Sequence, residues 1–231
     1  MLAGRRQIFV RLCGCNLTCA YCDTEHEAAD HCSMETAPGS NVFSMLPQPI
    51  NKQLLLDTLT QWHDAMPGAH HSISITGGEP LMSAEVLTDW LPDMRCIMPV
   101  HLETNGTLHL ELARVIGHLD YVSMDMKLPS TAACGTSLWH EHRLFLEQAR
   151  ATQVSVKIVA GDKTSEDEIV KVCEIIQSVD SRVPLFLQPL TLAGGKVGIS
   201  AVHLLHLQQV AASLLPDVRV IPQMHRLLGV F

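Results

Sequence analysis

The sequence predicts a single α/β domain, residues 1–231, built on a mostly parallel sheet, and three observations carry that expectation. Apolar, β-branched runs alternate with stretches of helical period along the whole chain, as in strand–helix–strand units. The chemically loaded motifs fall just after the predicted strands, the edge where ligands bind in parallel sheets. A length of 231 residues is enough to bury a full core.

The elements follow in order. Gln7 to Leu12 (QIFVRL) reads as a strand running into a cysteine-rich loop. Residues 25 to 50 carry Pro38, Gly39, Pro47 and Pro49 without a period, and read as a loop or insertion. Asn51 can cap a helix whose Leu54, Leu55, Leu59, Trp62 and Met66 recur at helical spacing. Ser72 to Thr76 (SISIT) is a strand, followed by the turn Gly77-Gly78-Glu79-Pro80 and a helix from Ala84 to Leu91. Strands at 100–103 and 121–125 enclose a helix at 109–116, and a further helix at 138–151 precedes a strand at 154–159. Ser165 and Glu168 have capping-box spacing and open a helix to about Ser178. A strand at 185–187, a helix at 201–215 and a strand at 218–221 complete the alternation.

Composition limits the function classes. Hydrophobic residues make up 47% and charged residues 17% of the chain, so it is globular rather than disordered. A net charge of −8 offers no field for DNA or RNA, and no nucleic-acid partner is expected. No apolar run is long enough to span a bilayer and the amino terminus has no signal-peptide pattern, so the expectation is a cytoplasmic protein without a membrane partner. Most of the thirteen histidines share no metal spacing and read as surface or core-edge residues.

The eight cysteines do not form the even framework of a small secreted protein. Cys15, Cys19 and Cys22 have three and then two residues between them on one loop. Three such thiolates can hold three irons of a cubane cluster and leave the fourth iron without a protein ligand, free to bind a substrate or cofactor. A structural zinc site would need a fourth ligand, which His26 or Cys32 could supply. Cys13, Cys32, Cys96, Cys134 and Cys173 read as ordinary buried or spare thiols.

Cys15-x3-Cys19-x2-Cys22 together with Gly77-Gly78-Glu79-Pro80 resembles the radical S-adenosylmethionine superfamily. There the open iron binds S-adenosylmethionine, whose reductive cleavage gives a 5′-deoxyadenosyl radical. The two glycines, lacking Cβ atoms, would let backbone carbonyls come close to the bound methionine moiety. A narrower resemblance is to the 7-carboxy-7-deazaguanine synthase family. It rests on Phe9-Val10-Arg11-Leu12, Cys22-Asp23-Thr24, Thr76 to Pro80, Glu103-Thr104-Asn105-Gly106-Thr107, Asp125 to Ser130 and Pro222 to Gly229. It implies a partial, modified (β/α) barrel, a homodimer, Mg2+ dependence, an external flavodoxin- or ferredoxin-type electron donor and a small pterin substrate. The implied reaction turns 6-carboxy-5,6,7,8-tetrahydropterin into 7-carboxy-7-deazaguanine with release of ammonia, on the route to queuosine in tRNA.

The resemblance implies roles residue by residue. Cys15, Cys19 and Cys22 would hold the 4Fe-4S cluster, with Tyr21, Cys22 and Asp23 touching S-adenosylmethionine. Gly78, Glu103, Asp125, Lys127 and Gln188 would contact the same cofactor. Thr24 would ligate Mg2+ through its hydroxyl, an oxygen suited to a hard cation. Arg11 and Thr76 would hold the pterin, Arg11 as a forked donor to its carboxylate. Gln223, His225 and Phe231 would sit at the substrate, His225 as the candidate proton shuttle. On the residues alone, Thr24 reads as a turn cap, Arg11 as a surface charge, Glu103 as a strand-end carboxylate, Lys127 as a solvated one-charge side chain and His225 as a tail histidine. The family's opening strand and Gln-Gly-Glu-Gly turn have no counterpart after Met1-Leu2-Ala3-Gly4, which leaves that element either upstream or absent.

Two other readings compete. A glycyl-radical-enzyme activase shares the cysteine spacing and acts on a protein. A non-catalytic iron–sulfur electron carrier would have the cluster without needing the glycine-rich turn or Glu103-Thr104-Asn105 at strand ends.

Overall fold

A computed structural model describes residues 2–22, 30–134, 137–224, 227 and 229. Its elements are β1 (Gln7–Leu12), β2 (His31–Glu35), β3 (Phe43–Pro47), α1 (Lys52–Ala65), β4 (Ser72–Gly77), α2 (Ala84–Ile97), β5 (Val100–Thr104) and α3 (His109–Val115). They continue with β6 (Tyr121–Asp125), α4 (Pro129–Ala132), α5 (Trp139–Ala149), β7 (Gln153–Ala160), α6 (Glu166–Val179), β8 (Leu185–Pro189), α7 (Ala201–Ala212) and β9 (Val218–Val220). Seven strands form one sheet in the order β1-β4-β5-β6-β7-β8-β9, every pair parallel. Each new strand is added on the same side of the last, which winds the sheet into part of a barrel. Among the described residues β1 and β9 do not pair, so the barrel stays open.

Side-chain alternation divides the sheet into two unlike faces. Ile8, Ile73, Ile75, Leu102, Val122, Met124, Val156, Ile158, Leu185 and Leu187 belong to the buried core beneath the helices. Helices α1, α2, α3, α5, α6 and α7 pack against one another in sequence along that face. The opposite, concave face carries Gln7, Arg11, Thr76, His101, Glu103, Asp125 and Lys157, which line a cavity. A chain that places polar side chains inside a sheet loses burial energy there, and a ligand is the usual reason.

Local signals account for most boundaries. The Asn51 side chain accepts from Gln53 N at 2.7 Å and starts α1. The capping box at Ser165 and Glu168 is formed, and Glu168 also accepts from Ser130 N at 2.8 Å, tying α4 to the start of α6.

Two expectations change. Residues 31–47, within the stretch read as a loop or insertion, form the antiparallel hairpin β2–β3, with His31 opposite Pro47 and Glu35 opposite Phe43. Its faces are largely exposed, so no apolar alternation marks it. The Glu35 carboxylate shapes the turn by accepting from Gly39 N at 3.0 Å and Asn41 N at 2.6 Å. Helix α2 runs on to Ile97 with Pro92 inside it. Proline lacks the N–H that would bond back one turn, but Leu91 and Met94 on either side are fully buried, and that packing outweighs the missing bond. No helix among the described residues is long and apolar enough to cross a membrane.

Candidate active site

The site grows from the ends of β1, β4, β5 and β6. Where β1 ends, Gly14 takes a positive φ of 85° and turns the chain into the cysteine loop. The glycine-rich turn after β4 packs directly on this corner. Gly78 N donates to Leu12 O at 3.1 Å and Glu79 N to Gly14 O at 2.8 Å. A Cβ on Gly77 would lie 2.0 Å from Leu12 O, and one on Gly78 would lie 2.1 Å from Gly14 O. These glycines are therefore required by the approach of the chain's own backbone. Their effect is to fix the cysteine loop against the turn.

Glu79 completes that junction. Fully buried, it accepts from Thr104 Oγ1 at 2.9 Å, Asn105 N at 2.7 Å and Leu81 N at 3.1 Å. Burial raises its pKa, against the lowering effect of these bonds. Asn105 Nδ2 in turn donates to Asn16 Oδ1, and Asn16 Nδ2 to Thr107 Oγ1 at 3.0 Å. Three strand ends are thereby locked into one rim.

Cys15, Cys19 and Cys22 all line a cavity of about 600 Å³, within the usual range for small ligands. Among the described residues no three His, Cys, Asp or Glu side chains converge on a single ion. Burial pushes the Cys19 thiol up to about 12, against the pull of Lys127, so loading a cluster must release that proton. Cys134, read as a spare thiol, lies with Sγ 3.6 Å from Cys19 Sγ. Cys32 is on β2, and His26 lies outside the described residues.

Beside the cysteine loop sits a buried charge group. Lys127 Nζ is 3.0 Å from Asp125 Oδ2 and 3.2 Å from Tyr21 Oη, and Lys157 Nζ is 2.8 Å from the same Asp125 oxygen. The Lys127 side chain is 11% exposed, which corrects its reading as a solvated charge. Burial opposes its charge, but Asp125 outweighs burial and raises its pKa. Burial likewise works against the Asp125 anion, but the two lysines hold its pKa below the ordinary value. Asp125 Oδ1 is buried and finds no hydrogen-bond partner among the described residues, an acceptor left for a ligand.

The remaining candidates arrive at the same place. Arg11 and Thr76 are register partners on β1 and β4, and with Gly78, Glu103, Gln188 and Gln223 they line the cavity. Arg11 stacks over the Phe9 ring at 5.2 Å. Asp23, Thr24, His225 and Phe231 lie outside the described residues. Sequence reasoning missed Lys157 and His101, although a lysine and a histidine inside apolar strands were the signal. It also misplaced two histidines, since His101 and His142 are buried and hydrogen-bonded. His142 Nε2 accepts from Lys127 N at 3.0 Å while Nδ1 donates to Gly106 O at 3.0 Å, so it bridges two site loops.

An open parallel barrel with three loop cysteines over a cavity lined by charged side chains points to a class, the radical enzymes built around a site-open iron–sulfur cluster. The Radical SAM superfamily model matches residues 10–183. A 7-carboxy-7-deazaguanine synthase of Geobacter sulfurreducens is 46% identical over 99% of this chain and 92% of its own length. One from Methanothermobacter thermautotrophicus is 31% identical, again over 99% and 92%. A radical SAM methyltransferase from Sphaerobacter thermophilus shares the fold, with a TM-score of 0.58 at 13% identity over 94% of this chain and 65% of that one. The chain belongs to the radical SAM superfamily and, within it, to the 7-carboxy-7-deazaguanine synthase family.

Proposed function

We propose that the chain converts 6-carboxy-5,6,7,8-tetrahydropterin into 7-carboxy-7-deazaguanine with release of ammonia, a carbon–nitrogen lyase reaction supplying queuosine synthesis. The observation that carries this reading is the 46% identity to such a synthase across nearly the full length of both chains.

The residues present fit the cofactors the family implies. Three thiols share one cavity, and a buried, unpartnered carboxylate oxygen faces it. In this reading Cys15, Cys19 and Cys22 hold the 4Fe-4S cluster. Tyr21, Asp23, Gly78, Glu103, Asp125, Lys127 and Gln188 hold S-adenosylmethionine, with Asp125 Oδ1 accepting from one of its donors. When bound, the cluster and S-adenosylmethionine together supply a carbon radical that removes hydrogen from the pterin.

The protein's own share is binding and orientation. Arg11 presents a guanidinium fork to the pterin carboxylate beside the Thr76 hydroxyl. In this reading Gln223, His225 and Phe231 would bind the substrate, with His225 moving a proton. Thr24 takes Mg2+, which would stabilise the carboxylate charge as the ring contracts. An external flavodoxin- or ferredoxin-type protein delivers the electron, and the chain works as a homodimer.

The test is anaerobic turnover of the reconstituted protein with pterin, S-adenosylmethionine and reductant, with and without Mg2+. The reading expects 7-carboxy-7-deazaguanine and ammonia in equal amounts, formed faster with Mg2+. Formation of 5′-deoxyadenosine with no deazaguanine product would reject it.

A further inference from the structure

Two sulfurs meet beside the cavity, and only one of them has a part in the reaction above. Cys19 Sγ lies 3.6 Å from Cys134 Sγ, although the residues are 115 positions apart. Both are half-buried, and Cys19 lines the cavity, so a small solute can reach the pair.

The backbone holds this contact in place. Ala20 N, next to Cys19, donates to Ala132 O at 2.9 Å and ties the cysteine loop to the end of α4. Helix α4 is anchored in turn, because Thr131 Oγ1 donates to Val159 O at 2.9 Å and Ser130 N to Glu168. Ala133 then takes a positive φ of 53°, uncommon for a residue with a Cβ. This turn brings the Cys134 thiol back to donate to Ala132 O at 3.7 Å. One carbonyl therefore secures both cysteine segments, and the Cys19 thiol is left to donate to Cys134 Sγ.

We propose that Cys19 and Cys134 are a redox modification site, forming a reversible disulfide in the cluster-free chain when hydrogen peroxide is present. Peroxide oxidises one thiol to a sulfenic acid and releases one water. The other sulfur then attacks, the S–O bond breaks as the S–S bond forms, and hydroxide leaves with the second thiol proton as water. Two electrons pass from the sulfurs to the O–O bond, and a thiol reductant restores them by exchange. The sulfurs must close from 3.6 Å to about 2.05 Å, a movement of the size that χ1 rotations supply. A disulfide at Cys19 removes one of the three loop ligands, so cluster and disulfide exclude each other. That consequence rests on the function proposed above, which takes Cys19 as a ligand; the pairing of the two sulfurs does not.

Two measurements test it. The reduced, iron-free full chain receives one equivalent of peroxide without oxygen, its remaining thiols are alkylated, and its disulfides are mapped by mass spectrometry. The expected result is a loss of two of the eight thiols, with Cys19 joined to Cys134. Cys19 joined to Cys15 or Cys22, or Cys134 alkylated, overturns the proposal. The second measurement offers a 4Fe-4S cluster from a pre-loaded scaffold protein, with no added thiol or sulfide, and reads iron per chain. Uptake should be lost in the peroxide-treated wild type and return after dithiothreitol, whereas Cys134→Ser given the same dose should keep it. Equal loss in both proteins overturns the proposal. If the reduced wild type accepts no cluster, the cofactor assignment falls, and the disulfide map decides the pairing alone.

Discussion

Asn105 Nδ2 donates to Asn16 Oδ1 across 2.8 Å, joining the loop after β5 to the cysteine loop after β1. The same Asn105 receives the Thr107 hydroxyl at 2.6 Å and gives its backbone N–H to Glu79. One residue thus joins the cysteine loop, held by its side chain, to the glycine-rich turn, held by its backbone N–H, although they are far apart in sequence.

Replacing that residue tests the linkage. Asn105→Ala should cost about 1–3 kcal/mol of stability in urea unfolding of the cluster-free protein, the penalty for leaving buried partners unpaired. Iron bound per chain after reconstitution should fall with it. Unchanged stability and full iron would show that the rim is held by other means.

His142 gives the fold a defined response to acid. Burial lowers its pKa to about 4 from an ordinary 6.5, with the Gly106 carbonyl opposing. Between those values the unfolded chain takes up a proton that the folded chain refuses. Stability should therefore rise with pH from about 4 to about 6.5 and gain nothing further from this group above that. In His142→Gln the same urea series should be shallower over that window. Parallel curves for the two proteins would remove His142 as the cause.

Lys157 shares Asp125 with Lys127, and its loss leaves Asp125 with one cation instead of two. In the proposed site, Lys157→Met should weaken S-adenosylmethionine binding about tenfold while leaving iron content unchanged, since the carboxylate is then less firmly held. Calorimetry on the reconstituted protein reads this directly. An unchanged Kd would place Asp125 outside the cofactor contacts.

The parts of the molecule readable from sequence were those with a strong local period or a fixed spacing. The strand Gln7–Leu12 and the capping box at Ser165 were placed correctly because each signal is contained in a few neighbouring residues. The hairpin at 31–47 escaped because both its faces meet solvent and its strands carry no apolar alternation. Lys127 looked solvated because the partner that holds it, Lys157-bound Asp125, can be recognised only once β6 and β7 are paired. The backbone role of the two glycines is illegible in sequence for a similar reason. Sequence shows that Cβ atoms are missing, but only the fold shows that Leu12 and Gly14 fill the space.

The central claim is that three loop cysteines hold a cluster with one iron open to S-adenosylmethionine at the sheet's C-terminal rim. Electron paramagnetic resonance of the reduced, reconstituted protein tests it most directly. The account predicts a 4Fe-4S signal whose g-values shift when S-adenosylmethionine is added. A signal that ignores the added cofactor, with iron content at four per chain, would contradict it.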